Sequence, residues 1–134
     1  MDTDTIDIRV RYAETDQMGV VFNANLLVYF EVARTEYMRG LDTAYRDMEN
    51  DGYYLMVSEA HCKYTGPAEY DDVLEITTWV DRVRPMRIDF RHQVRRRQDG
   101  APVAEGHVVL ACVDGSLRPQ ALPAEVREKL TRKA

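Results

Sequence analysis

The chain has 134 residues, of which 45% are hydrophobic and 31% are charged. This length and composition predict a single globular domain over residues 1–134, large enough to bury a core without disulfide or metal staples. The formal net charge of −5 excludes the overall basic field of a nucleic-acid-binding protein.

Targeting and redox features of the sequence predict a cytoplasmic protein. No stretch approaches about 18 consecutive apolar residues, so no membrane span is expected. The first seven residues are acidic and lack the apolar segment of a signal peptide. Cys62 and Cys112 lie in apolar-patterned segments without the spacing of a metal or redox motif. Two buried free thiols are typical of a reducing compartment.

The first part of the chain predicts a strand, a loop and a long helix. Residues 6–12 alternate apolar and charged side chains, which is typical of a strand, and residues 13–25 are loop-like. From Leu26 the apolar residues recur at three- and four-residue spacing, which indicates one buried face of a helix. Asn23 and Asn25 are both candidate N-caps for that helix. Its apolar face comprises Leu26, Leu27, Phe30, Ala33, Tyr37, Met38 and Leu41.

The rest of the chain predicts mostly strands. A short charged helix is expected over Thr43–Asn50, and another opens at Pro123, where the missing N–H costs little. Three stretches between residues 56 and 95 alternate in polarity, and residues 103–113 end in an apolar run typical of a central strand. Asp99-Gly100 marks a hairpin turn, because glycine tolerates positive φ. Strand, long helix and four strands indicate an α+β fold with an antiparallel sheet. On the first of these four strands, one face is expected to hold Met56, Ser58, Ala60, Cys62 and Tyr64.

The segment from Tyr12 to Arg34 carries the residues best suited to chemistry. Asp16 lies in its loop, Gly19 follows three residues later, and a helix starts within the next ten residues. The free N–H groups at a helix start can polarise a carbonyl oxygen or stabilise an oxyanion. A nearby carboxylate can attack the activated carbon, or deprotonate a water molecule that attacks it. The segment therefore pairs a carboxylate with a carbonyl-polarising group.

Several blocks of the sequence match a known family. They are Tyr12, Thr15, Asp16, Gly19–Phe22, Asn25, Glu31, Arg34–Glu36, Glu59, Ala68–Asp72, Leu122 and Pro123. On these residues, which extend over almost the whole chain, the sequence resembles the 4-hydroxybenzoyl-CoA thioesterase family, in particular the acyl-CoA thioesterases associated with the Tol–Pal system. The resemblance implies a hotdog fold, in which a curved five-stranded antiparallel sheet wraps a long central helix. It also implies a homodimer, or a homotetramer made of two dimers, with active sites at the protomer interface.

The resemblance implies roles for individual residues. Asp16 matches the family's catalytic aspartate, a nucleophile or general base, and the backbone N–H of Asn23 matches the group that polarises the thioester carbonyl. Many relatives carry His or Tyr in place of Asn23, a departure that spares the backbone donor and leaves the preferred acyl group open. Gly19 would let the loop approach the substrate closely. Arg84 matches a basic position near the CoA-binding edge, and Arg87 follows closely, so either is a candidate phosphate ligand. The implied substrate-binding residues are Gly19, Phe22, Asn25, Glu59, Arg84 and Arg87.

Each of these residues also has a plainer interpretation. Without its neighbours, Asp16 would be an ordinary cap of the turn Gln17–Phe22. Glu59 is either a support for the site across the protomer interface or a surface carboxylate. Arg84 and Arg87, taken alone, are ordinary surface arginines.

A thioester suits this small set of groups. A thiol with a pKa of roughly 8.5 leaves as thiolate without a strong general acid, so hydrolysis needs one carboxylate, one carbonyl polariser and water. No metal or cofactor is expected, and the three histidines lie on separate predicted strands without ligand spacing. The predicted function is hydrolysis of an acyl-CoA to the free acid and CoA.

Two alternative functions stay open. A hotdog dehydratase or hydratase needs a paired histidine and acid, and residues 12–34 contain no histidine. A non-catalytic module that binds acyl thioesters would have little use for an unpaired Asp16 carboxylate.

Overall fold

The structure is a computed structural model that describes residues 2–42 and 45–134, apart from the side chains of Tyr45 and Arg46. A short 3₁₀ turn lies at Tyr12–Glu14. The strands are β1 (Thr3–Arg9), β2 (Tyr54–Tyr64), β3 (Val73–Arg84), β4 (Arg87–Arg96) and β5 (Pro102–Val113). The helices are α1 (Asn25–Arg39), α2 (Tyr45–Asn50) and α3 (Ala124–Lys133).

The strands form one antiparallel sheet in the order β1-β3-β4-β5-β2, so β1 and β2 are its edges. Helix α1 packs across one face of this sheet, and α3 packs on β3. The predicted α+β hotdog architecture, with a five-stranded antiparallel sheet around a long helix, is confirmed. No helix within the described residues is long and apolar enough to cross a membrane.

The core lies between α1 and the sheet. Phe30 and Tyr37 on α1 are almost completely buried, as their helical spacing predicts, and Tyr29 is buried as well. Leu27 was predicted on the same buried face but is 40% exposed, because it borders an open cavity beside the edge strand β2. The Phe30 ring stacks on His92 of β4, with ring centroids 4.8 Å apart. Gly106 on the neighbouring strand makes room for this stack, since a Cβ there would lie 2.5 Å from the Phe30 ring. Burial of each large apolar side chain contributes roughly 1.5–3 kcal/mol.

The first strand, predicted over residues 6–12, runs instead from Thr3 to Arg9. Val10 still donates its N–H to the carbonyl of Asp72, in register with β3, and the chain then leaves the sheet for the 3₁₀ turn. The helix predicted to begin at Thr43 is present as α2, and the first two predicted residues lie outside the described residues.

A bulge in β2 changes which of its side chains face the helix. The pairing of β2 with β5 shifts register between Val57 and Glu59. Val57 pairs with Leu110 and Ala60 with Val108, so both lie on the helix-facing side. The prediction that Met56 and Ser58 share the face of Ala60 is therefore wrong, because the extra residue inverts the alternation. Glu59 lies on the outer face.

The sheet has two distinct ends. At the loop end (Tyr64, Val73 and Arg96), the segment between β1 and α1 packs against the strand termini. At the hairpin end (Arg84–Arg87), β3 turns into β4. The 12 residues of β3 join these two ends. At a rise of about 3.3 Å per residue, the ends lie roughly 36 Å apart along that strand.

Candidate active site

The Asp16 loop is a tight hairpin at the loop end of the sheet. The Asp16 N–H donates to the Val20 carbonyl at 2.8 Å, and the Phe22 N–H donates to the Glu14 carbonyl at 2.8 Å. Gly19 has φ +81°, and a Cβ there would meet no atom within 4 Å. Glycine is thus favoured at this turn by its backbone conformation and not by crowding.

The Asp16 carboxylate both caps this turn and keeps one oxygen open. Its Oδ1 accepts a hydrogen bond from the Met18 N–H at 2.9 Å. The plainer interpretation of Asp16 as a turn cap is therefore correct, but it accounts for only one oxygen. Oδ2 has no hydrogen-bond partner among residues 2–42 and 45–134, and the side chain is only partly buried. The turn fixes the orientation of a carboxylate that can still act on a ligand.

Helix α1 begins next to this hairpin without a side-chain cap. Ala24 occupies the N-cap position, and neither asparagine caps the helix, so that prediction is wrong. The Asn25 amide instead donates to the Glu14 carbonyl at 3.0 Å, because Asn25 is already the first helical residue and its side chain reaches back to the loop. The substrate contact predicted for Asn25 stays a prediction, and its amide has a structural role in this protein.

The backbone of Asn23 is held from one side and open on the other. Its carbonyl accepts hydrogen bonds from the Tyr64 hydroxyl at 3.0 Å and the Leu26 N–H at 3.2 Å. No described residue accepts a hydrogen bond from the Asn23 N–H. An unpaired N–H at the positive end of a helix suits a carbonyl oxygen or an oxyanion.

Glu14 is a buried residue of this site that sequence reasoning missed. It is 9% exposed, and its Oε1 accepts hydrogen bonds from the Arg11 N–H at 2.9 Å and the Tyr29 hydroxyl at 3.0 Å. Burial favours a higher pKa for Glu14, but these bonds and the charge of Arg11 outweigh it and lower the pKa. The only sequence signal is a glutamate three residues after an arginine and two before Asp16.

A groove between α1 and the edge strand β2 opens beside the helix start. It consists of two adjoining cavities of about 210 and 240 Å³ that share Glu31, Arg34 and Val57. The cavity nearer the helix start is also lined by Leu27 and Val28. Phe22, predicted to contact substrate, is 47% exposed just before the helix. Exposed apolar side chains therefore lie just before the start of α1 and within its first turn.

The other predicted site residues lie away from Asp16 within one chain. Glu59 lies on the outer face of β2, 3.9 Å from His61. Arg84 and Arg87 face each other at the hairpin end, at the opposite end of β3. The Arg84 guanidinium donates to buried Asp89 at 2.8 Å, so the free phosphate ligand expected at this position is already engaged by a carboxylate. Arg87 is exposed and makes no ion pair with any described residue.

The three histidines lie on β2, β4 and β5. His61 and His107 lie on neighbouring strands and stack with centroids 5.9 Å apart. His92 is buried, and its Nδ1 lies 2.9 Å from the Thr78 hydroxyl. Burial and the nearby charge of Arg34 lower the pKa of His92 to about 3. No group of three or more potential metal ligands occurs within the described part of the chain.

Comparisons with known proteins define the family. Residues 10–130 match the thioesterase-like superfamily, and the chain belongs to it. It is 36% identical over 122 residues to the acyl-CoA thioesterase YbgC of Haemophilus influenzae, covering 90% of this chain and 88% of that protein. The predicted enzyme class, a thioester hydrolase, is confirmed by this family match.

Two further relatives support the same assignment. A putative acyl-CoA thioesterase of Bacillus subtilis, YneP, is 43% identical over 75 residues, although this match spans only 56% of this chain and 54% of that protein. The crystal structure of DHNA-CoA thioesterase from Staphylococcus aureus superposes with a TM-score of 0.94 at 28% identity, covering 98% of this chain and 91% of that one.

Proposed function

We propose that this protein hydrolyses acyl-CoA thioesters to a carboxylic acid and CoA, as a member of the 4-hydroxybenzoyl-CoA thioesterase group. One observation supports the proposal most strongly. The same short segment contains Asp16, with one open carboxylate oxygen, and Asn23, with an unpaired backbone N–H. The names of the relatives, which are acyl-CoA and DHNA-CoA thioesterases, support the same substrate class.

The proposed reaction divides the work between these two groups. The Asn23 N–H and the positive end of α1 hold the thioester oxygen as it becomes an oxyanion. Asp16 either removes a proton from the attacking water or attacks the carbonyl carbon to form an anhydride that water then hydrolyses. In both routes a C–O bond replaces the C–S bond, and CoA leaves as a thiolate that takes up a proton. This chemistry calls for no cofactor beyond CoA in the substrate.

A hydratase is a weaker proposal for this site. The pairing of a histidine with an acid that it requires is not available from His92, which is buried and neutral in the core. The preferred acyl group is proposed to lie in the groove between α1 and β2, whose lining near the helix start is apolar.

We further propose that two chains complete each site as a homodimer, which can assemble further into a tetramer. β2 is an 11-residue edge strand with one side of its backbone unpaired, and exposed Val28, Val32 and Val57 lie on or beside it. Pairing two β2 strands antiparallel about a two-fold axis would bring the loop end of one protomer to the hairpin end of its partner. Light scattering tests this, and a monomer at working concentration would contradict it.

Free Cys62 and Cys112 support placing the enzyme in the cytoplasm, as proposed from the sequence. Cys112 is fully buried and Cys62 is partly buried, and burial raises the pKa of both thiols. Raised thiol pKa values keep both groups unreactive, which fits a role in packing.

The decisive experiment is Asp16→Asn, which keeps the turn cap through its side-chain oxygen and removes the carboxylate. We expect kcat for thiol release from acyl-CoA to fall by about a thousandfold. Asp114→Asn is the matched control, because Asp114 caps a turn in the same way, through the Ser116 N–H at 2.8 Å. Near wild-type turnover by Asp16→Asn, on a substrate that the wild type hydrolyses, would refute the proposal. Tight binding of CoA esters without thiol release by the wild type would favour a binding module instead.

A further inference from the structure

We propose that Glu14 is a positioning residue that sets the geometry between Asp16 and the Asn23 N–H. This inference rests on the proposed function, because it concerns how the acid and the donor of that site are held together. Glu14 touches neither reacting group. It joins the segments that carry them.

The side chain of Glu14 ties the chain leaving β1 to the interior of α1. Its Oε1 accepts hydrogen bonds from the Arg11 N–H at 2.9 Å and from the hydroxyl of buried Tyr29 at 3.0 Å. Its Oε2 accepts from the Arg11 guanidinium at 3.1 and 3.2 Å. Both carboxylate oxygens are therefore occupied, and one of them reaches a residue 15 positions away in the helix.

The main chain of Glu14 ties the Asp16 hairpin to the start of the same helix. Its carbonyl accepts the Phe22 N–H at 2.8 Å and the Asn25 amide at 3.0 Å. Asp16 follows Glu14 by two residues, and Asn23 lies between the two residues bound by its carbonyl. One buried residue thus fixes both the acid and the donor relative to α1.

This placement matters because an acid and an oxyanion donor act only in a defined mutual geometry. A displacement of about 1 Å at a reacting group can cost roughly a hundredfold in rate. Glu14 itself is unsuited to proton transfer, because both oxygens already accept hydrogen bonds and its pKa is lowered. Its contribution is therefore geometric.

The hydrogen bonds of the Glu14 side chain predict a graded fall in kcat on substitution. Glu14→Ala removes all four side-chain hydrogen bonds, and we expect kcat to fall by roughly a hundredfold with a smaller change in KM. Glu14→Gln keeps a carbonyl-type Oε1 for the Arg11 N–H and the Tyr29 hydroxyl, so it should retain kcat within roughly tenfold of the wild type. Tyr29→Phe removes only the helix contact and should lower kcat by an intermediate factor.

Glu36 provides the matched control for these variants. It forms an ion pair with Arg39 at the same three-residue spacing as Arg11 and Glu14, but on the surface of α1. Glu36→Ala and Glu36→Gln should both keep the kcat and KM of the wild type.

Amide hydrogen exchange supplies a readout that does not depend on activity. We expect the amides of residues 15–25 to exchange faster in Glu14→Ala than in the wild type. Their exchange rates should stay at the wild-type level in Asp16→Asn and Glu36→Ala. Wild-type kcat and exchange in Glu14→Ala would overturn the inference. So would a Glu14→Gln variant as impaired as Glu14→Ala, since that would assign the role to charge. If Glu14→Ala fails to fold, Tyr29→Phe tests the inference in its place. Wild-type kcat and wild-type amide exchange in Tyr29→Phe would contradict the positioning role of Glu14. Full activity of Asp16→Asn would instead refute the proposed function. The amide-exchange result would then still test whether Glu14 holds residues 15–25 in place.

Discussion

The two ends of the sheet each contain one buried carboxylate held by an arginine, and the two pairs have different consequences. At the loop end Glu14 binds Arg11, and at the hairpin end Asp89 binds Arg84. Glu14 and Asp89 are 9% and 8% exposed, so the two carboxylates are equally buried. The partners differ: Glu14 also binds a helix, whereas Asp89 binds only within the sheet, with His107 on β5 at 3.4 Å.

One type of ion pair thus serves two different purposes in this molecule. The Asp89 pair links β3 to β4 beside their hairpin, and His107 links Asp89 to β5. The Glu14 pair connects the chain that leaves β1 to helix α1 through Tyr29, which is the basis of the positioning role proposed for Glu14. Under the proposed function, the loop end holds the reacting groups, whereas the Asp89 pair at the hairpin end links neighbouring strands.

Each end of the sheet also presents an exposed cation. Exposed Lys63 lies at the loop end, and exposed Arg87 lies at the hairpin end, and neither forms an ion pair with a described residue. Either is a candidate ligand for the phosphates of CoA, one from the chain that supplies Asp16 and the other from a partner chain. Four arginines close to the loop end are already paired with acids: Arg9, Arg11, Arg96 and Arg97.

The largest expected effect in this comparison is on stability at the hairpin end. Arg84→Ala leaves the buried Asp89 carboxylate with His107 alone, and we expect the free energy of unfolding to fall by about 2–3 kcal/mol, less than for a fully buried pair. Arg87→Ala, its exposed cross-strand neighbour, should change it by less than about 0.5 kcal/mol. Urea denaturation of both variants measures this. Equal stability of the two would contradict the structural role given to Arg84.

A moderate effect is expected on recognition of CoA. If the hairpin end of a partner binds the phosphates, Arg87→Ala should raise KM for an acyl-CoA by roughly tenfold, through loss of a charged contact. KM for an acyl N-acetylcysteamine, which lacks the phosphates, should not change. Lys63→Ala is the comparison variant, and a rise in KM confined to Lys63→Ala would place the phosphates at the loop end of the same chain.

The smallest effect is a shared dependence of stability on acid pH. The pKa of Glu14 is lowered from 4.5 and that of Asp89 from 3.8, because hydrogen bonds and nearby positive charge outweigh burial. Each carboxylate therefore stabilises the fold fully above its unfolded pKa and loses that contribution as pH falls through its lower folded pKa. Denaturation at pH 7 and at pH 3 should show a smaller acid loss in Glu14→Gln and Asp89→Asn than in the wild type. An unchanged acid loss in both would contradict the lowered pKa values.

The sequence predicted elements whose pattern repeats locally. The helical spacing from Leu26 matches α1, and the turn at Asp99-Gly100 is present, with Gly100 at φ +71°. The alternating stretches correspond to β3 and β4, because one face of each packs on the helix. Predictions failed where a single residue breaks the repeat, as at the β2 bulge, or where caps depend on neighbouring loops, as at Asn23 and Asn25.

A carboxylate, a glycine turn and a helix start are adjacent in the chain, so their proximity could be predicted from the sequence. It also carried the resemblance that predicted the hotdog fold, which is confirmed, and a thioesterase family, which the comparisons confirm as the thioesterase-like superfamily. The burial of Glu14 against Tyr29 and the pairing of Arg84 with Asp89 became visible in the three-dimensional structure alone. Those facts depend on which distant side chains meet in a low-dielectric interior. Local patterns of polarity carry no information about such meetings.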